Sequence, residues 1–467
     1  MLISLEQEMP AVHVRHGIPV LPEVFVDLWK QLARQGWTAD GDFAVSRKVP
    51  SAAMKPMQMI STDTGPTIEI APCPVESIYE LERQTTALRS FIGRELAKRG
   101  VGLLGSGISP RLGNSEREYY RYRTPRTAYD YAIRVRGWQH RMLVNIAAIQ
   151  EVIDVPVSLA PLVLSTMHRL AGIFLFLFRN DPELKQEVSG LLTVRPKAWR
   201  DQVPWEGRFK DDSRKVAIPE QEVRSWHDYL RLLWDSGPMF LVGTKTSGLV
   251  YIPEHPTFMS FLSESPKGGW QSEQLDGTPG ESVVPNFTHV AQSDWTYMGH
   301  ARLRLFWKEG VDLRGLLDAY HAGSETLDPF MARNIAKVLI ENRSSASPVP
   351  GTEMVSIALA TGITENLAEV ATYLSRKPYS FWAKVANSAE TAPFKSHVDG
   401  VSIAELASEI VALAKHGLLK RGRDEEQYLE PLVERIASGS SPAECMLREF
   451  QRGGEDAVVE KLLYRFT

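Results

Sequence analysis

The sequence predicts an α+β protein built on an antiparallel sheet with a helical C-terminal region. Strand-like and helix-like stretches mix along the chain without a regular βαβ alternation, which argues against a doubly wound parallel sheet. The segment "QMISTDTGPTIEIAP" reads as strand, Asp/Gly/Pro turn and strand, a hairpin signal. From about residue 353 onward nearly every stretch has helical character, punctuated by Gly, Ser and Pro.

The opening "MLISLEQEMPAV" has the alternation of a strand: Ile3, Leu5 and Met9 fall on one face, and Ser4, Glu6 and Glu8 on the other. Residues 23–36 and 76–99 repeat apolar residues at three and four, the spacing of amphipathic helices, and Gly100 stands where the second should stop. Residues 141–154, "RMLVNIAAIQEVID", predict a strand leading into an apolar helix over 158–178. That helix carries His168 and Arg169 near its middle, which suits a buried core helix better than a membrane span. The Trp-, Pro- and Gly-rich region 195–310 predicts irregular loops with short strands, and "KVLIENRSS" at 337–345 one more strand.

A length of 467 residues admits two or three average domains or one large one. With 43% hydrophobic and 24% charged residues the chain has material for a full core. A net charge of -4 lacks the electrostatic footprint of a nucleic-acid binder. The two cysteines, Cys73 and Cys445, lie far apart with no CxxC spacing, so neither a disulfide framework nor a zinc ribbon is expected, and a reducing cytoplasm fits. No signal-peptide pattern opens the chain.

Familiar catalytic motifs are missing. "GTKTSG" at 243–248 is not a P-loop, and neither HExxH nor GxSxG occurs. What stands out is acidic residues in apolar strands. Glu6 and Glu8 share a face, Glu69 in "PTIEIAP" faces away from Ile68 and Ile70, and Glu341 shares a face with Arg343. Each has an ordinary reading, a wetted strand face or a same-face ion pair. Collected by an antiparallel sheet, four carboxylates would instead need cationic counter-charge, and hard oxygen donors suit Mg²⁺ or Mn²⁺ shared with substrate phosphates.

At these residues the chain resembles the glutamate-cysteine ligases of plants, cyanobacteria and many proteobacteria, within the glutamine synthetase-like superfamily. "ISLEQEMP" resembles that family's opening Glu-x-Glu strand, "TIEIAP" its second acidic strand, and "AAIQEVIDV" the strand that carries a Gln or His. "LLGSGISP" resembles its Gly-rich segment, "LIENRSS" its late Glu-x-Arg strand, and "KRGRDEEQYLEPLVERIASGSSPAECMLREF" its closing helices. The matches keep the family's order from residue 2 to about 450. Ser4 stands where the family usually has Gly, and "VRPKAWRDQVPWEGR" matches its Arg-containing loop only loosely.

The resemblance implies a glutamine synthetase-like sheet with a concave active-site face, in one catalytic domain over 1–467: a sheet-containing core over 1–350 and a helical part over 351–467. It implies an ATP- and Mg²⁺- (or Mn²⁺-) dependent ligase that phosphorylates the γ-carboxylate of glutamate for attack by the amine of cysteine, toward glutathione-type thiols. Glu6, Glu8, Glu69, Gln150 and Glu341 would hold the metal ions, and Gln150 could instead be a hydrogen-bonding core residue. Glu69 and Arg343 would be catalytic, Arg343 stabilising the transferring phosphoryl group, with Arg195 either a further nucleotide or substrate contact or, equally, a loop arginine on the surface. Partners would be small molecules, with no nucleic acid or membrane, and the chain a monomer or homodimer. Another amine acceptor, a guanidino kinase of the same distant fold, and a catalytically silent binding protein remain the alternatives; the kinases' cysteine-centred signature is missing.

Overall fold

The architecture follows from a computed structural model that describes residues 1–39, 44–48, 57–124, 127–185, 190–243 and 248–466. Positions 244–247 of the "GTKTSG" stretch therefore lie outside the described residues.

The main sheet has nine strands: β1 (Ile3–His13), β2 (Thr38–Ala39), β3 (Ala44–Lys48), β4 (Met57–Ser61), β5 (Thr67–Ala71), β6 (Val101–Leu103), β7 (Ala148–Val155), β8 (Ala301–Trp307) and β9 (Ile335–Ala346). Their order is β8-β9-β7-β1-β5-β4-β3-β2, with β6 paired to the far end of β1. The pairs are antiparallel. β1 is thus central, and its 11 residues reach from the β7 pairing to the β6 pairing.

Register fixes which side chains share a face. Gln7 pairs with Ile70 and Ile149, Met9 with Ile68, and Ile3 with Ile153, so this set lines the helix-covered side. The intervening set, Glu6 opposite Gln150 and Glu8 opposite Glu69, lines the other.

Seven helices frame the sheet and the site: α1 (Glu23–Arg34), α2 (Ile78–Ala97), α3 (Ala160–Phe178), α4 (Arg195–Gln202), α5 (Val355–Glu365), α6 (Ile403–Arg421) and α7 (Pro442–Leu462). α3 and α5 are apolar nearly all round because they are covered on every side, one cluster joining them to Leu5, Ile153, Leu303 and Ile340. Val157–Phe178 has the length and apolarity to cross a membrane, yet 89% of its apolar window is buried within the fold. α1 and α2 bury Phe25, Leu28, Leu88, Ile92 and Leu96 against Met9, Ile68 and Ile70. Gly100, at φ 68°, turns the chain after α2 as its position predicts.

Two regions differ from the sequence expectation. The stretch 141–154 is not one strand: His140–Asn145 forms a 3-10 turn, and the strand begins at Ala148. That turn meets the β4–β5 hairpin, where a Cβ on Gly65 would stand 2.1 Å from the Val144 carbonyl oxygen. The region 195–310 holds short helices as well as loops and a three-stranded sheet. Ser225, Thr257 and Asn286 each cap one of these helices through the side-chain oxygen, accepting from Asp228, Ser260 and Thr288 backbone N–H groups.

Candidate active site

The sheet face opposite α3 gathers the acidic residues singled out in the sequence. Glu8 and Glu69 are directly opposed across β1 and β5, and Glu6 and Gln150 across β1 and β7. Beyond Gln7 the β1–β7 ladder stops, and the Glu8 side chain takes over its role, accepting from the Ala148 N–H at 2.8 Å and from the Gln150 amide at 3.2 Å. Ser61, opposite Glu69 on β4, donates to it at 3.1 Å. Glu6 is half-buried and accepts no hydrogen bond among the described residues.

On β9 Arg343 shares a face with Glu341, as the period of two predicts, next to a register shift between Asn342 and Ser345. Its guanidinium donates to the Gln150 carbonyl and to Glu341. Glu341 is also held by Arg302, at 2.8 and 3.0 Å, and by Arg304 at 2.8 Å. Arg302 and Arg304 were not among the sequence candidates. The signal for them was legible: "ARLRLFW" alternates, placing both guanidinium groups on one strand face. Asp63, read only as a turn residue, belongs to the cluster as a charge that presses on Glu8 and Glu69.

The face is therefore divided electrostatically. Burial, then Asp63, pushes the Glu8 carboxyl up to about 8, against Arg195, the Ala148 amide and Arg343. Burial together with Glu6, Glu8 and Asp63 drives Glu69 well above the carboxylate range, and burial with Glu341 raises Glu6. Burial opposes ionisation of Glu341 too, but Arg302, Arg304 and Arg343 hold it well below the usual range. Arg302 is lowered to about 10 by burial in spite of Glu341. One half of the face has buried acids that hold their protons for want of cations, and the other has a carboxylate surrounded by arginines.

Glu6, Glu8 and Glu69 present carboxylate oxygens, the donor chemistry that a hard divalent cation takes, and Glu6 accepts no hydrogen bond among the described residues. Among the described residues no three acidic, His or Cys side chains converge into a ready chelate. The Glu341 and Gln150 oxygens accept from arginine donors.

Arg195 is not a loop residue: it opens α4 and is 6% exposed. Its Nε donates to the Arg343 carbonyl at 3.2 Å, and its guanidinium lies over the Trp199 ring at 5.8 Å. Beside it His300, whose Nδ1 lies 3.1 Å from the Ser344 hydroxyl, is pushed down to about 3 by burial and by neighbouring arginines, so the imidazole is neutral.

The arrangement defines a class by its face: an antiparallel sheet that gathers carboxylates and guanidinium groups on one side, the kind of site that handles a charged substrate together with counter-charge. The fold is similar to that of a bifunctional glutathione synthetase from Pasteurella multocida, with a TM-score of 0.52 and 12% identity over 99% of this chain. The chain spans half (50%) of the length of that enzyme. It is similar also to the glutamate-cysteine ligase of Francisella tularensis in complex with AMP, with a TM-score of 0.52 and 11% identity, covering 98% of this chain and 87% of that one. At such identities the likeness is one of fold. In sequence the chain is 24% identical over 423 residues to the chloroplastic glutamate-cysteine ligase of Nicotiana tabacum, covering 87% of this chain and 69% of that one. It is 22% identical over 424 residues to the Solanum lycopersicum enzyme, with the same coverage. Residues 38–294, more than half of the chain, match the model of glutamate-cysteine ligase family 2. The chain belongs to that family.

Proposed function

We propose that this protein is an ATP-dependent ligase joining the γ-carboxylate of L-glutamate to the amine of L-cysteine through a γ-glutamyl phosphate. The observation that carries this reading is the divided face: under-neutralised carboxylates at Glu6, Glu8 and Glu69 stand beside Arg343, which is anchored by Glu341 and Gln150. Glu6, Glu8, Glu69, Gln150 and Glu341 would hold Mg²⁺ or Mn²⁺. Held there, such cations would supply positive charge for nucleotide phosphates and a substrate carboxylate.

The protein's own part is positioning and charge stabilisation. Glu69, fixed between Glu8 and Ser61, orients what binds at the cluster. Arg343 presents a rigid fork of donors to the phosphoryl group in flight, and its anchors keep the fork aimed before substrate arrives. Arg195, stacked on Trp199 next to Arg343, contacts a phosphate or substrate carboxylate. Residues 1–467 act as one catalytic unit in this account, a cytoplasmic monomer or homodimer.

The test is incubation with ATP, Mg²⁺, glutamate and a panel of amines, with ADP and the amide followed by mass. ADP and γ-glutamylcysteine in equal amounts are expected. An amide formed only with another amine reassigns the acceptor, and no ADP with any amine leaves a binding protein on the same scaffold.

A further inference from the structure

The connection between α3 and α4 contains a buried acid that the ligase chemistry does not use. Asp181 is 1% exposed, with no Lys or Arg in ion-pair contact among the described residues. One of its oxygens, Oδ2, accepts from the Thr193 hydroxyl at 2.8 Å, the Val194 N–H at 3.1 Å and the Arg195 N–H at 2.9 Å. The backbone of Asp181 also pairs with this segment, its carbonyl accepting from the Val194 N–H at 2.9 Å. The other side-chain oxygen accepts from the Asn180 N–H at 3.2 Å. Neighbouring Asn180 ties the same turn to the sheet, donating to the Gly105 carbonyl at 3.0 Å and the Ser347 carbonyl at 2.9 Å.

These bonds converge on the residue that opens α4. A helix start needs acceptors for its first N–H groups, and a serine or asparagine would supply one with less desolvation. What the carboxylate adds is a charge-assisted hold on the backbone of Arg195, whose guanidinium reaches the Arg343 carbonyl and whose charge favours an ionised Glu8. The hold is remote from the reacting groups, and it fixes where the Arg195 side chain starts.

We infer that Asp181 is a positioning residue of the ligase: it fixes the start of α4 so that Arg195 meets its anionic ligand. This rests on the proposed role of Arg195 and goes beyond it by naming what places that arginine.

A double-mutant cycle in the full-length protein tests it, with steady-state constants for ATP and glutamate measured for Arg195→Ala, Asp181→Asn and the pair. Asp181→Asn keeps the shape and removes the charge; Thr193→Val removes one of the three donors and serves where the first variant folds poorly. Arg195→Ala is expected to raise one substrate's KM about ten- to a hundredfold, the range for a lost hydrogen bond to a charged group. Asp181→Asn should raise the KM of that same substrate, and add nothing when Arg195 is already Ala. Losses that multiply in the pair, or a raised KM for the other substrate, would overturn the positioning role. An effect of Asp181→Asn alongside a silent Arg195→Ala would overturn it too, while leaving the ligase reading to the product assay.

Discussion

Replacing Glu8 by Gln should make the metal-free protein more stable and the enzyme inactive. Glu8 is 4% exposed, and burial with Asp63 raises its carboxyl from an ordinary 4.5 to about 8. Between those values the folded state keeps a proton that the unfolded chain has released. The native state then binds more protons, so stability present below about 4.5 is lost as pH rises toward 8. At pH 7 the cost of keeping that proton is about 3 kcal/mol, at ~1.4 kcal/mol per pH unit. Glutamine resembles the protonated acid in shape and hydrogen bonding, so it removes this cost. Urea unfolding in EDTA at pH 5 and pH 7 reads most of it: the parent should lose stability over that interval, and the variant should lose about 2.5 kcal/mol less, at ~1.4 kcal/mol per pH unit. With ATP and Mg²⁺ the variant should release no ADP. Parallel loss of stability in the two proteins would refute the assignment of unneutralised charge at Glu8, and near-normal turnover would refute its role in the site.

Glu69→Gln should abolish ATP turnover and leave the fold intact by circular dichroism; normal activity would remove Glu69 from the site. Arg343→Lys keeps a charge able to meet Gln150 and Glu341, which Nη1 alone holds, but removes the remaining guanidinium donors, and should lower kcat about a hundredfold with a smaller change in KM. An unchanged kcat would count against the transition-state role. Arg302→Met leaves Glu341 two arginines instead of three and should destabilise by about 3 kcal/mol, the lower end for a broken buried pair, measured in urea. Added Mg²⁺ should raise the melting temperature more at pH 8 than at pH 5, since the cation binds ionised Glu6, Glu8 and Glu69; an equal rise at both would contradict the cluster.

The alternation of "ISLEQEMP" and "TIEIAP" made the acid-bearing face legible, because a period of two is set by the backbone alone. The same rule would have found Arg302 and Arg304 in "ARLRLFW". Those two arginines neutralise Glu341, and Glu8 has no such pair among the described residues. The register shift beside Arg343 has no local sequence mark, because it is a mismatch between two strands far apart in the chain. Arg195 sits in a loosely matching segment; its start as a helix depends on Asp181, 14 residues away, and on a turn tied to Gly105 and Ser347. The caps at Ser225, Thr257 and Asn286 were readable, and would have shown helices in the region taken as irregular.

The central claim is that the γ-carboxylate of glutamate is phosphorylated before the amine attacks. Glutamate labelled with ¹⁸O in that carboxylate, turned over with ATP, Mg²⁺ and cysteine, tests it most directly. Attack by one carboxylate oxygen on the γ-phosphorus forms the acyl phosphate, and the amine then expels phosphate carrying that oxygen. The account expects one ¹⁸O in inorganic phosphate for every amide formed. Amide formation with unlabelled phosphate would contradict it.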